Sequence, residues 1–263
     1  MFQYEFMRRA FVVGVLVSFI IPCIGAVMVN KKNSMVGDAL SHTSLAGVCL
    51  GLILGMNPIV GAIIVCTVAA FSIEFFRKKF PKGSDLSTAI VMSTGIGLAS
   101  ILSDFVPGSK NLESFLFGSL VAIKDFEMYL VLVLSLIILL IFIKMYNGLV
   151  YIVFDPDQAK LSGVPVKGIN RVFTLITALS ISVASRSVGV LVISSLMILP
   201  VSAAIKLSNS FTRTVILSSS LGVLYTVLGI VISYYLGLKP GGTIVLIGVF
   251  ALLLIMAIQG NKD

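Results

Sequence analysis

The stretch AFVVGVLVSFIIPCIGAVMV, residues 10–29, decides the class of this chain. It carries no charge, and about 20 predominantly apolar residues coiled into a helix span the hydrocarbon core of a bilayer. Arg8 and Arg9 precede it, as in a signal peptide. The run is too long for one, however, and passes into Lys31 and Lys32 without a small-residue cleavage site, so a retained span is expected. Met128 to Ile143 and Val215 to Leu236 are runs of the same kind. The 263 residues are 58% hydrophobic and 11% charged, with a mean hydropathy of +1.11, more apolar surface than a soluble domain of this length can hide. The expected fold class is an all-α polytopic membrane protein, a single transmembrane domain over 1–263 in the cell (plasma or inner) membrane.

Turn residues and charges divide the chain into nine apolar spans near 10–30, 38–56, 58–76, 86–106, 126–144, 169–185, 188–206, 213–236 and 242–258. Asn57-Pro58 makes a tight hairpin of the second and third, and Lys239-Pro240-Gly241-Gly242 does the same for the last two. Two spans read as interrupted: the second opens on polar residues, and the seventh carries Ser194, Ser195 and Pro200. Broken helices are where transporters commonly build substrate sites. Asn111 to Lys124 is apolar but short, which suits a re-entrant or interfacial helix on the outer side, a candidate gate element.

With alternating crossings, Arg8, Arg9, Lys110, Lys124, Arg186 and Lys239 share one side and the other 13 of the 19 Lys and Arg share the opposite one, which is therefore the cytoplasmic side. The N-terminus then faces outward and the C-terminus inward. This placement accounts for the net charge of +8 without any nucleic acid partner. Glu5, Asp104, Glu113, Asp125 and Glu127 fall in outward loops, where solvated carboxylates need no role but can attract cations. Glu74 lies one turn before Arg77 and Lys78, the spacing of an ion pair along a helix, and Arg186 at an outer boundary is expected to snorkel.

The chain's single histidine, His42, follows Asp38 by four residues in Gly37-Asp38-Ala39-Leu40-Ser41-His42. On a helix the two project from one face, and a carboxylate beside an imidazole is a ligand set for a divalent transition metal. At about 100° per residue, Asp38, His42, Ala46 and Cys49 share that face, while Gly47, Gly51 and Gly55 lie nearly opposite as a repeated GxxxG packing surface. Two readings of the pair stand side by side: metal ligands, or an internal hydrogen bond that fixes a helix end, with Asp38 as N-cap or first-turn residue. Two protein ligands are few for a structural metal site but suit one that must release its ion. Cys49 is a possible sulfur ligand or a small buried hydrophobe; Cys23, Cys49 and Cys66 show no CxxC spacing and no disulfide framework.

One polar stretch keeps a pattern. In Phe154-Asp155-Pro156-Asp157-Gln158-Ala159-Lys160-Leu161-Ser162-Gly163-Val164-Pro165, Asp155-Pro156 starts a helix and Gly163 stops it, predicting a short cytoplasmic helix. Such an element is either a connector or the means of engaging a soluble motor. The chain has no GxxxxGK[ST] phosphate loop, and one histidine excludes HExxH. Outside the powered-permease reading stand a proton- or ion-coupled carrier using Asp38 and His42 as a relay, which has no need of that helix, and a scaffold in which they are structural caps.

These residues resemble the membrane permeases of ABC-type zinc and manganese importers. The resemblance rests on Phe6-Met7-Arg8-Arg9-Ala10, on Gly37 to His42 followed by Leu45-Ala46-Gly47, on Phe154-Asp155-Pro156 through Gly163-Val164-Pro165, and on Val188-Gly189-Val190-Leu191 through Ile198-Leu199-Pro200. It implies a type II ABC importer permease fold, with a homodimer seated on two cytoplasmic ATPases and fed by an extracytoplasmic metal-binding protein. In that picture no cofactor is permanently bound, and Zn2+ or Mn2+ is the transported substrate. Asp38 and His42 match the residues proposed to contact the metal. Asp155, Pro156, Asp157, Gln158, Ala159, Lys160, Leu161, Ser162 and Gly163 match the coupling helix, Leu112 to Val121 the outer-gate helix, and Pro200 a segment near the dimer axis. Thr43-Ser44-Leu45-Ala46-Gly47 and Phe2-Gln3-Tyr4-Glu5-Phe6 look more like the zinc branch than the manganese or iron alternative.

Overall fold

A computed structural model of the chain describes residues 5–80, 84–106 and 125–259. The expected gate helix over 111–124, Glu113, residues 2–4 and the side chain of Arg186 lie outside the described residues. Among the described residues the chain is helical, without strands: α1 (Glu5–Asn30), α2 (Met35–Ile53), α3 (Pro58–Lys79), α4 (Ser84–Ser103), α5 (Asp125–Phe154), α6 (Pro156–Leu161), α7 (Val166–Ser187), α8 (Val190–Leu207), α9 (Phe211–Leu236) and α10 (Pro240–Gln259). Nine of these, all but α6, are long and apolar enough to cross a membrane, matching the nine expected spans.

The punctuation works locally. Asn57 caps α3 by accepting from the Ile59 amide at 2.9 Å, with Pro58 in the first turn. Gly237, at φ 65°, ends α9 just before the Pro240 start of α10. The fifth span runs ten residues past its expected end near 144, to Phe154. Lys144 does not break a helix, whereas Asp155, forced into extended backbone (φ −151°, ψ 100°) ahead of Pro156, does.

Both spans read as interrupted are continuous helices. The polar residues of α2 bond back to their own helix, Ser41 Oγ to the Gly37 carbonyl at 2.8 Å and Thr43 Oγ1 to that of Ala39 at 2.7 Å. α8 passes through the buried Pro200 without a break.

Two groups of helices form around α1 and α2. α1 packs against α5, α7, α8 and α9, and α2 against α3, α4, α7 and α8, so α7 and α8 join the groups. Lipid tails are as apolar as the core, so close backbone approach rather than apolar burial holds such helices together. A Cβ on Gly47 would lie 2.6 Å from the Gly61 carbonyl oxygen, and one on Gly61 3.0 Å from the Gly51 backbone. Gly55 is not part of this surface: it sits past the helix end at φ 66° with nothing near it, because the turn to Pro58 needs left-handed backbone. Leu136, Leu140, Phe250 and Leu254 are exposed on α5 and α10, as suits helices that face lipid.

The acidic residues at the expected outer end are not simply solvated loop groups. Glu5 and Asp125 sit in the first turns of α1 and α5 and each pairs with Arg9 at 2.8 Å, while Glu127 is buried in α5. Glu74 accepts a hydrogen bond from Thr174 of α7 and also attracts the Arg77 guanidinium one turn on.

Candidate functional site

The site forms where α8 crosses α2, and two glycines set that crossing. A Cβ on Gly25 of α1 would fall 2.3 Å from the Met197 carbonyl oxygen, and one on Gly37 of α2 would fall 2.3 Å from Met197 Sδ. Lacking both, α8 drops into contact with α1 and α2 at once. Ser194 lies three residues before Met197, one turn up the same region of α8, and this seating brings it to Asp38.

Ser194 Oγ donates to Asp38 Oδ1 at 2.8 Å. His42 Nε2 lies 3.7 Å from the same oxygen, beyond hydrogen-bond reach. The structure therefore brings the two sequence-selected residues together and adds a third, Ser194, that sequence reading had noted only as a sign of an interrupted helix. Asp38 is not the N-cap, since α2 begins at Met35 after Ser34 without a side-chain cap, but it does lie in the first turn, and its carboxylate is held to α8 by the Ser194 bond.

Exposure follows a stripe. Met35, Asp38, His42 and Leu45 are the residues from 35 to 45 that are not buried, a spacing of three and four that marks one helix face. The Asp38 and His42 side chains are 39% and 24% exposed. Ser194 of α8 is likewise half-buried beside them. Cys49 shares the angular position of His42, but it lies about 10 Å farther along the axis and is fully buried, so it adds no sulfur to the group. Among the described residues no three His, Cys, Asp or Glu side chains converge. One chain offers a carboxylate, an imidazole and a hydroxyl, an open and weakly holding set.

Deeper in the seam, Ser44 Oγ donates to Ser185 Oγ of α7 at 2.6 Å, and Ser182 Oγ reaches the Ala62 carbonyl at 3.2 Å. These buried hydroxyls tie α2 and α3 to α7 and leave Asp38 and His42 as the open polar groups of that face.

The short helix α6 has the expected build. Asp155 accepts from the amides of Asp157 at 3.0 Å and Gln158 at 2.9 Å, Pro156 occupies the first turn, and Gly163 stops the segment at φ 80°. Ala159 is its buried anchor, whereas Leu161 is 87% exposed.

Compared with known proteins, the chain matches the model of the family described as "ABC 3 transport family" over residues 3–259. The chain belongs to the ABC 3 transport family. As a member, it is a multi-pass permease of the metal-transporting ABC type. The ABC 3 chain is 35% identical over 258 residues to a protein of Treponema pallidum named "probable metal transport system membrane protein", covering 98% of this chain and 97% of that one. It is 31% identical to the manganese import system permease protein ScaB of Streptococcus parasanguinis, over 93% of this chain and 87% of the relative. Among solved structures it resembles PsaBC from Streptococcus pneumoniae in complex with Fab, with a TM-score of 0.87 and 29% identity over 97% of this chain and 92% of the other. A second structure, described as an inward-facing conformation of a putative metal-chelate type ABC transporter, shares the fold at a TM-score of 0.78 and 16% identity over 94% of this chain and 84% of that one. The ABC 3 permease thus has the type II importer fold expected from its sequence.

Proposed function

We propose that this permease conducts a divalent transition metal in an ATP-driven importer, and that Asp38 and His42 touch the ion in transit. The observation that carries the reading is the open stripe of α2, where a carboxylate and an imidazole stand half-exposed on a helix otherwise packed on its remaining faces. An ionisable side chain left turned to lipid is costly. A second copy of the chain covering the stripe across a two-fold axis removes that cost and doubles the donors to two carboxylates and two imidazoles lining one conduit. Ser194 already occupies one carboxylate oxygen, so the ion pauses and leaves.

The remaining machinery comes from other chains. The segment Asp155 to Gly163, with Leu161 exposed on a rigidly capped helix, is the contact for each of two cytoplasmic ATPases, and an extracytoplasmic metal-binding protein delivers the ion. Manganese is the favoured cargo, ahead of zinc. The manganese name of ScaB supports this order, as does an oxygen-rich set of Asp38 and Ser194 with Cys49 held away. Both weigh against the zinc preference read from residues 43–47 and 2–6.

The test is uptake of radioactive manganese and zinc into vesicles holding the permease with and without its ATPase. ATP-dependent manganese uptake that Asp38→Asn and His42→Ala both reduce at unchanged assembly is the expected result. Uptake that persists without the ATPase sinks the powered mechanism, and unchanged uptake in both variants sinks the site.

A further inference from the structure

At the end of the bundle that carries α6, a cavity of about 650 Å³ opens among the ends of α1, α3 and α5 and the start of α7. Six cationic residues line it, Lys31, Lys32, Arg77, Lys78, Lys167 and Arg171, against one carboxylate, Glu74. That carboxylate already accepts the Thr174 hydroxyl. Lys31 Nζ donates to Asn170 Oδ1 at 2.9 Å and lies over the Phe173 ring at 5.1 Å from its centroid. Arg77 Nε is buried without a hydrogen-bond partner. Burial and the neighbouring Arg77 push the Lys31 ammonium down to about 8, with Glu74 opposing.

The cavity is therefore a concentration of positive charge with too little negative charge to match. It is no continuation of the metal pathway, because like charges gathered at this density repel a divalent cation. It suits an anion, and guanidinium and ammonium groups together suit a phosphate, with its several acceptor oxygens. Its walls include the apolar Met28, Ile152 and Val153, and basic pockets between membrane helices on the cytoplasmic side are where phosphate headgroups bind. We propose that this cavity holds the phosphate of an anionic phospholipid headgroup, with Lys31 and Arg77 as inner contacts and Lys167 and Arg171 as the rim. The lipid would neutralise the ends of α1, α3 and α7 where they meet, next to α6. The proposal does not depend on which ion the permease carries.

The experiment is native mass spectrometry of the whole permease extracted from membranes containing phosphatidylglycerol and phosphatidylcholine. Wild type is expected to retain phosphatidylglycerol in preference to phosphatidylcholine. The rim pair K167Q/R171Q, both exposed at the start of α7, and the inner pair K31Q/R77Q should each lower that retention about tenfold. Lys79 lies outside the cavity, against Phe75, so K79Q should retain lipid as wild type does. The rim pair decides the matter even if the inner pair fails to fold. Retention unchanged in the rim pair, or lost equally in K79Q, overturns the proposal. So does complete displacement of the lipid by inorganic phosphate, which would assign the site to a soluble anion.

Discussion

Ser194 of α8 holds Asp38 of α2 by a 2.8 Å hydrogen bond to the same oxygen that lies 3.7 Å from His42. The carboxylate is thus bound by the hydroxyl, with the imidazole close by but beyond hydrogen-bond reach. The second oxygen of the Asp38 carboxylate is left free of Ser194, and under the proposed function a cation would meet that oxygen first, with the hydroxyl able to rotate and offer a lone pair. Seating depends on Gly25 and Gly37, which let Met197 sit between α1 and α2. The polar site and the small-residue contacts are one construction.

Ser194→Ala should allow the Asp38 carboxylate to swing onto His42, closing the i,i+4 pair and occupying both donors. A hydrogen bond to a charged group is worth about 1.5–3 kcal/mol, so the KM for metal uptake should rise about tenfold. Ser195→Ala, which removes no bond to Asp38, should leave it unchanged. Uptake kinetics in reconstituted vesicles measure both, and equal behaviour of the two variants would show that the Ser194 bond does not position the carboxylate.

Gly47→Ala should destabilise the permease by about 1–3 kcal/mol or more. The new methyl would meet backbone, the Gly61 oxygen at 2.6 Å and the Ala62 Cα at 2.7 Å, and backbone cannot rotate aside. Gly97→Ala is the comparison, because nothing lies within 4 Å of its added Cβ and alanine is the better helix former. Thermal unfolding in detergent should therefore fall for the first and hold or rise for the second. Equal transitions would mean that α2 and α3 separate without cost.

What could be read from the chain alone was local. Asn57-Pro58 and Asp155-Pro156 encode their turns within three residues, since proline fixes its own φ and restricts the residue before it. The nine spans follow from length and apolarity, which the bilayer imposes. The face carrying Asp38 and His42 follows from helical spacing. Ser194 was beyond such reading: its partner is 156 residues away, and only the Met197 seating on two glycines brings them together. The Thr174 partner of Glu74 is out of reach of such reading for the same reason, lying 100 residues away. Pro200 and the polar start of α2 suggested breaks, but back-bonding hydroxyls and packing kept both helices whole.

Asp155→Ala should loosen α6 without harming the rest of the bundle. Removing an N-cap costs about 1 kcal/mol, and a helix of six residues has little else to define its start. The expected outcome is a several-fold fall in ATP-driven uptake at unchanged thermal stability, with Asp155→Asn, another good cap, close to wild type. Equal losses in both variants would show that the charge of Asp155, and not its capping bond, matters.

Lys31 gives the stability a defined dependence on pH. Burial first, and Arg77 second, lower its folded-state value from 10.5 to about 8, against the pull of Glu74. Below about pH 8 the ammonium is charged in the folded and unfolded chain alike, and the fold bears the full cost of hosting it. Between about 8 and 10.5 the folded chain loses its proton first, so the unfolded chain binds more protons and stability rises with pH through that window. Thermal unfolding in neutral detergent should follow this rise in wild type. Lys31→Met should flatten it and gain most over wild type at the low-pH end. Lys32, Arg77, Lys78, Lys167, Arg171 and Glu74 line the same cavity, and the comparison with Lys31→Met separates Lys31 from them. Phosphatidylglycerol bound in the cavity supplies the missing negative charge, favours the ammonium form and moves the rise to higher pH. A wild-type profile that matches Lys31→Met, with or without that lipid, would mean that the Lys31 charge is hosted at no cost.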